Sequence, residues 1–234
     1  MYFFIKRTLD IVFSASALII LSPMLFVVMI LLRFSGEGEI FFRQRRVGQG
    51  NKPFDLLKFA TMLKDSPKSG TITVSGDPRI LPMGKFLRKS KINELPQLLN
   101  VLKGDMSLVG PRPLTDETFG YYSEALQPLI YRSKPGLTGA GSLVFRNEEE
   151  VLRNTAKDRT TCYREDIAPL KGALEVWYYE HRSTWVDLKI IFFTAVSVII
   201  PGSNLYRRGL TNLPERESPP SPSMPAKAGQ NDGN

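Results

Sequence analysis

Residues 11–32 read IVFSASALIILSPMLFVVMILL and carry no charge. A run of 22 such residues is long enough to cross a bilayer as a helix. It is too long, and lacks the small-residue cleavage site, for a removable signal peptide. Two features complicate a plain span. Ser22-Pro23 falls in the middle, where proline removes a backbone donor and crowds the carbonyl four residues back, so the helix is expected to kink. Basic residues flank both ends: Lys6 and Arg7 before, Arg33, Arg43, Arg45 and Arg46 after. The preference for positive flanks on the cytoplasmic side then favours a re-entrant hairpin that turns at Ser22 and Pro23 and leaves on the side it entered. In that arrangement the Ser22 hydroxyl occupies a carbonyl freed by the kink. A kinked single span and a buried soluble helix are the competing readings.

The net charge of +8 is unevenly placed. Residues 1–32 carry +1, residues 33–112 carry 15 basic against 7 acidic groups, and residues 113–234 carry −1. A local excess of this kind suits lipid headgroups, a phosphate-bearing ligand or nucleic acid, with a merely solubilising surface as the plain alternative. Nucleic acid is disfavoured, because the basic residues lack interleaved aromatics on which bases would stack. The single cysteine, Cys162, excludes an intrachain disulfide and fits a cytosolic face. The single histidine, His181, has no companion for a zinc site, which leaves a carboxylate-held magnesium as the metal to consider.

The pattern predicts an α+β fold: mostly α with a small β element. Residues 1–35 are expected to form the re-entrant membrane helix. Residues 36–200 should form a compact cytosolic core ending in an interfacial helix, and residues 201–234 a largely disordered tail. Apolar residues at 39–42 and 54–59 flank Gly48-Gln49-Gly50-Asn51 and read as a β-hairpin. Residues 64–76 read as a Ser/Gly/Thr-rich loop. Residues 81–91 have the spacing of a basic amphipathic helix, and a second helix is expected from Asn93, as N-cap, to Gly104. Residues 134–139 read as a loop, and Glu148-Glu149-Glu150 as a solvated helix start. The uncharged run 190–200 is too short to span and reads equally well as interfacial or core helix.

The chemistry concentrates in residues 77–113, DPRILPMGKFLRKSKINELPQLLNVLKGDMSLVGPRP. Asn93 and Glu94 are expected at a helix start, where free N–H groups favour anions. Two prolines fix a stiff turn around Arg112 and aim its guanidinium, which suits a bidentate grip on phosphate. Arg88 and Lys58 are further phosphate candidates, and Glu94 is the best magnesium candidate. A plain dipole partner at a helix start remains the alternative for Glu94. Phosphoryl transfer asks mainly for charge neutralisation, which this inventory supplies.

KINELPQLLNVLKGDMSLVGPRP, with FFRQRRVGQGNKPFDLLKFATM upstream and WVDLKIIFFTAV downstream, resembles the bacterial sugar transferases. These are monotopic polyprenyl-phosphate phosphoglycosyl transferases, here of the small catalytic-core type, and the likeness covers residues 1 to about 200. It implies transfer of a sugar-1-phosphate from a UDP-sugar to undecaprenyl phosphate with release of UMP, using Mg2+. The expected place is the cytoplasmic face of a bacterial inner membrane, in contact with membrane lipid and without nucleic acid; a homo-oligomer is left open. By position, Glu94 would hold magnesium, Arg88 and Arg112 phosphates, Lys58 the same site, and Ser22 and Pro23 the membrane break. The family's nucleophile is an aspartate immediately before that glutamate, and here the position holds Asn93. The alternative for such a chain is an impaired membrane-bound interaction protein. The sugar and the glycan pathway are not legible.

Overall fold

The computed structural model describes residues 1–66 and 77–215. Helix α1 (Tyr2–Arg33) is followed by strands β1 (Phe41–Val47) and β2 (Pro53–Phe59), then α2 (Pro82–Lys89), α3 (Gln97–Lys103) and β3 (Ser107–Val109). Next come α4 (Asp116–Phe119), α5 (Gln127–Ile130), β4 (Gly136–Thr138), α6 (Ala140–Val144) and α7 (Glu148–Asn154). Helix α8 (Arg159–Cys162) runs through a π turn at Tyr163–Ile167 into α9 (Ala168–His181). Helices α10 (Thr184–Ile199) and α11 (Tyr206–Gly209) close the described chain. The expected mostly helical α+β class is what the structure has.

Helix α1 is continuous through Ser22 and Pro23, so the expected pair of helices joined by a turn is replaced by one helix. Ser22 shows why proline is tolerated there. Its Oγ donates to the carbonyl of Ile19, four residues before Pro23, at 2.7 Å. That is the acceptor the missing proline N–H leaves free. Most of α1 is bare: Ile19 and Ile20 are 73% and 75% exposed, which excludes the buried soluble helix. Among the described residues it is the one helix long and apolar enough to cross a membrane, by length and composition.

Both ends of α1 dock on the folded domain. Near the start, Arg7 donates to the carbonyls of Val101 and Leu102 in the last turn of α3, at 2.6 and 2.8 Å. A cation there complements the helix's unpaired C-terminal carbonyls. Asp10 is buried and accepts from Ser107 Oγ and the Leu108 backbone N–H at 3.1 and 2.9 Å. Near the end, Val28 and Leu32 pack with Phe59 and Leu87.

The hairpin forms as expected, antiparallel with Phe41 opposite Phe59 and Val47 opposite Pro53. The segment 134–139 is not a loop. Its residues 136–138 form β4, parallel to β3 and bonded at Ser107–Gly136 and Val109–Thr138. Close approach explains the glycines here: a Cβ on Gly136 would lie 2.1 Å from the Gly110 nitrogen, and one on Gly110 would lie 2.2 Å from the Lys134 carbonyl oxygen. Helix α10 has a buried face, as the core reading expects, and an exposed apolar face. Ile190 and Phe193 are buried in a cluster with Leu174 and Tyr178, while Phe192, Val198 and Ile199 are exposed.

The folded unit also runs past residue 200. Tyr206 and Leu210 are buried against the same cluster, which corrects the expectation of disorder for this part of the tail. The rest of the expected disordered tail, residues 216–234, and most of the expected loop, residues 67–76, lie outside the described residues.

Candidate functional site

The local fold around Asn93 departs from expectation. Lys91 adopts a left-handed conformation, φ +61°, and residues Ile92–Glu94 form a single 3-10 turn. Helix α3 begins only at Gln97, with Pro96 in the N-cap position. Asn93 is therefore not an N-cap, and Glu94 does not owe its place to a helix dipole. Asn93 is buried instead, and its Oδ1 has no hydrogen-bond partner among the described residues. Gly104 does end α3, in the left-handed conformation expected.

Lys58, Arg88, Asn93, Glu94 and Arg112 all line one cavity of about 890 Å³. Each arrives on a differently fixed support. Lys58 lies on β2, which Asn100 pins to α3: the Asn100 Oδ1 accepts from Leu57 N at 3.0 Å and its Nδ2 donates to Asp55 O at 2.8 Å. Arg112 sits in a turn held from behind. Tyr131 donates to the Arg112 carbonyl at 2.7 Å and accepts from Leu114 N at 2.8 Å. Arg46 Nη1 donates to the Pro113 carbonyl at 3.1 Å. Arg88 pairs with Glu149 at 2.8 Å. Ser22 and Pro23 do not line this cavity.

Glu94 and Arg112 form an ion pair at 3.6 Å. Burial pushes the Glu94 carboxyl up, but Arg112, then Lys58, Lys91 and Arg88 overcome it and hold it down to about 2. Burial is the main cause that lowers the Lys58 ammonium to about 7; Glu94 opposes this, and Arg46, Arg112 and Arg88 add to it. The cluster is thus a carboxylate fixed in the ionised state amid surplus positive charge, an arrangement suited to a polyanion.

The sequence reading missed several wall residues. Glu148, Glu149 and Glu150 do start a helix, α7, but the first two are paired and line the cavity. Glu148 pairs with the fully buried Lys171, and Glu149 with Arg88. Behind the wall, Glu175 is buried beneath Gly139 and Gly141. Burial drives its carboxyl up to about 8, against Lys171 and the backbone N–H groups of Arg112 and Gly141. No sequence signal distinguished Glu175 from an ordinary helical glutamate.

A divalent cation would find few donors here. Among the described residues no three His, Cys, Asp or Glu side chains cluster as a ligand set. What the cavity offers is the ionised Glu94 beside the unpartnered carbonyl oxygen of Asn93. Magnesium is commonly held by one or two protein oxygens with substrate phosphates completing the shell, so this donor set fits it.

Part of the cavity wall is apolar: Phe13 and Ala17 from α1, and Leu188, Ile191, Ala195 and Val198 from α10. One cavity therefore joins a cationic site to the bare helix. The model of the bacterial sugar transferase family matches residues 1–201. The chain belongs to that family. Among the transferase's relatives is the exopolysaccharide production protein ExoY of Sinorhizobium fredii, 34% identical, with 83% of this chain and 85% of the relative covered. The UDP-glucose:undecaprenyl-phosphate glucose-1-phosphate transferase of Caulobacter vibrioides is 36% identical over 83% of this chain and 69% of its own. The UDP-N-acetylgalactosamine-undecaprenyl-phosphate N-acetylgalactosaminephosphotransferase of Aeromonas hydrophila is 33% identical over 85% of this chain and 44% of its own.

Proposed function

We propose that this transferase moves a sugar-1-phosphate from a UDP-sugar to undecaprenyl phosphate, giving undecaprenyl-diphosphate-sugar and UMP. The observation that carries this is that Lys58, Arg88, Glu94 and Arg112 line the same cavity as apolar residues of α1 and α10. Such a shape suits an anionic head on a long apolar tail together with a second, water-soluble anion. The names of the relatives from Caulobacter and Aeromonas supply the matching donor and acceptor.

The chain's own groups divide the work. Arg112, Arg88 and Lys58 bind and orient phosphate oxygens and offset the charge that builds as the diphosphate splits. Glu94 keeps Arg112 in place through their ion pair. When bound at Glu94 and the Asn93 carbonyl oxygen, magnesium supplies further neutralisation of the diphosphate. The Asn93 carboxamide carries no charge, and Glu94 is paired with Arg112. The nucleophile in this reading is the lipid phosphate itself. Its oxygen forms a bond to the sugar-bearing phosphorus, the bond from that phosphorus to the UMP oxygen breaks, and UMP leaves with the electron pair.

The membrane seat in this reading is monotopic, on the cytoplasmic leaflet of a bacterial inner membrane. A 32-residue helix is about 48 Å long. Its two ends dock on the same domain, at α3 and at Phe59–Leu87, which supports both ends of this one helix lying on the same side of the membrane. Labelling of cysteines introduced at Tyr2 and Ser35 tests this; reaction from opposite sides would overturn it. Release of UMP from a panel of UDP-sugars by membranes carrying the native chain, and its loss in Glu94→Gln, tests the chemistry. Silence of the native chain on the whole panel would overturn it.

A further inference from the structure

The cavity has a second polar patch apart from the phosphate cluster. Glu148 on α7 pairs through Oε2 with Lys171 on α9, and no hydrogen bond among the described residues occupies its other oxygen. Lys171 is 1% exposed, with its ammonium 5.6 Å from the Tyr163 ring centre. It is a fixed counter-charge that holds Glu148 in the wall. Ser142 on α6 also lines the cavity, and its hydroxyl is buried without a partner among the described residues. A buried unpartnered hydroxyl costs free energy unless a ligand satisfies it.

The patch adjoins the phosphate site. The Arg112 guanidinium is held charged first by Glu94 and, among the other carboxylates, next by Glu148. A carboxylate oxygen in that position repels a phosphate and attracts neutral hydrogen-bond donors. Its side of the cavity also matters. Helix α6 packs on α10, and Thr138, just ahead of α6, hydrogen-bonds Thr194 of α10 at 2.7 Å. In-line displacement places the lipid phosphate and the departing UMP on opposite sides of the transferred phosphorus. Ser142, on α6, therefore lies on the α10 side of the cavity, which in this reading faces the lipid and not the leaving nucleoside.

We infer that Glu148, positioned by Lys171, and Ser142 form the subsite for the hydroxyl-bearing sugar ring of the nucleotide donor. Glu148 accepts hydroxyl hydrogens, and the Ser142 hydroxyl completes its bonding on the ring. This rests on the transferase reading and adds the residues that choose among sugars.

The test uses the full chain in membranes, with two variants chosen to spare the fold. Glu148→Asp keeps a charge opposite Lys171 but draws the carboxylate back by one methylene. Ser142→Ala removes only the hydroxyl. The readouts are KM for several UDP-sugars and the affinity for UMP, which has the nucleoside and phosphate but no transferred sugar. Expected are a KM for UDP-sugars raised about tenfold in Glu148→Asp and several-fold in Ser142→Ala, with a changed rank order of sugars. UMP affinity should stay within about twofold of native. Weakening of UMP in step with the UDP-sugars would overturn the inference and assign the patch to the nucleoside. So would unchanged sugar preference in both variants. Inactivity of the native chain on every UDP-sugar is a different result, and it would count against the transferase reading itself.

Discussion

Lys6 Nζ lies 2.9 Å from the carbonyl oxygen of Val109, so the second turn of the membrane helix holds the residue just before the Gly110-Pro111-Arg112 turn. The same ammonium pairs with Asp187 at 2.9 Å, and Tyr178 bonds both Asp187 and Val109 O, at 2.7 and 3.2 Å. Arg112 is thus positioned from α1 as well as by Tyr131.

Lys6→Met leaves Asp187, 6% exposed, with only the Tyr2 and Tyr178 hydroxyls as side-chain partners among the described residues. Removing one partner of a buried pair costs on the order of 3 kcal/mol. Thermal unfolding in detergent should show a fall of several degrees, and UMP release should drop at subsaturating UDP-sugar. Lys6→Arg should recover most of both, because it restores the cation. A Lys6→Met protein with native melting and native rate would show that the contact with Val109 positions nothing.

Glu94→Gln keeps the shape of the side chain and removes its charge. Arg112 then loses the partner at 3.6 Å, and a magnesium ion held there would lose its one ionised ligand. A loss of transfer on the order of 100-fold or more is expected, as for removal of a central electrostatic group. Chelation of divalent ions should silence the native chain, and added magnesium should restore it. Full activity of the native chain in excess chelator would remove Glu94 from a metal-binding role.

Glu175 sets a pH dependence of stability. Its carboxyl is raised from an ordinary 4.5 to about 8, chiefly by burial, so the folded chain keeps a proton that the unfolded chain gives up. Between those values the native state binds more protons, and stability falls as pH rises. The contribution is complete below about 4.5 and is lost as pH climbs through about 8. The slope is at most about 1.4 kcal/mol per pH unit. Glu175→Gln, a neutral isostere, should flatten the decline. Melting temperatures of the two proteins from pH 5 to 8 check this; parallel curves would show that Glu175 is ionised throughout.

Much of this was legible from local pattern. The hairpin followed from alternation around a glycine turn, and Lys58, Arg88, Glu94 and Arg112 from charge type near stiff turns and a family likeness. What escaped depended on distant pairings. Strands β3 and β4 are three residues each and meet across 26 intervening residues, too short to leave a periodic signal. Glu148 looked solvated because its counter-charge, Lys171, lies 23 positions on. Lys6 and Arg7 read as cytoplasmic flanks of the apolar run, yet their donors are spent on backbone carbonyls, the Tyr178 hydroxyl and Asp187. Asn93 has the chemistry of an N-cap and was placed as one, but the left-handed Lys91 starts a 3-10 turn and delays the helix to Gln97.

Asn93 gives the sharpest kinetic expectation. A carboxamide oxygen cannot retain a phosphosugar as a carboxylate can. The native chain should therefore release UMP only when undecaprenyl phosphate is also present, and initial rates should follow a sequential pattern in the two substrates. Asn93→Asp places a carboxylate beside Glu94, within the field of Lys58, Arg88 and Arg112, where attack on the sugar-bearing phosphorus needs no lipid. That variant should show a burst of about one UMP per chain from UDP-sugar alone. Rapid-quench measurement of UMP without lipid distinguishes the two. A full burst from the native chain would mean that another side chain, with Glu94 the nearest carboxylate, takes the sugar-phosphate covalently.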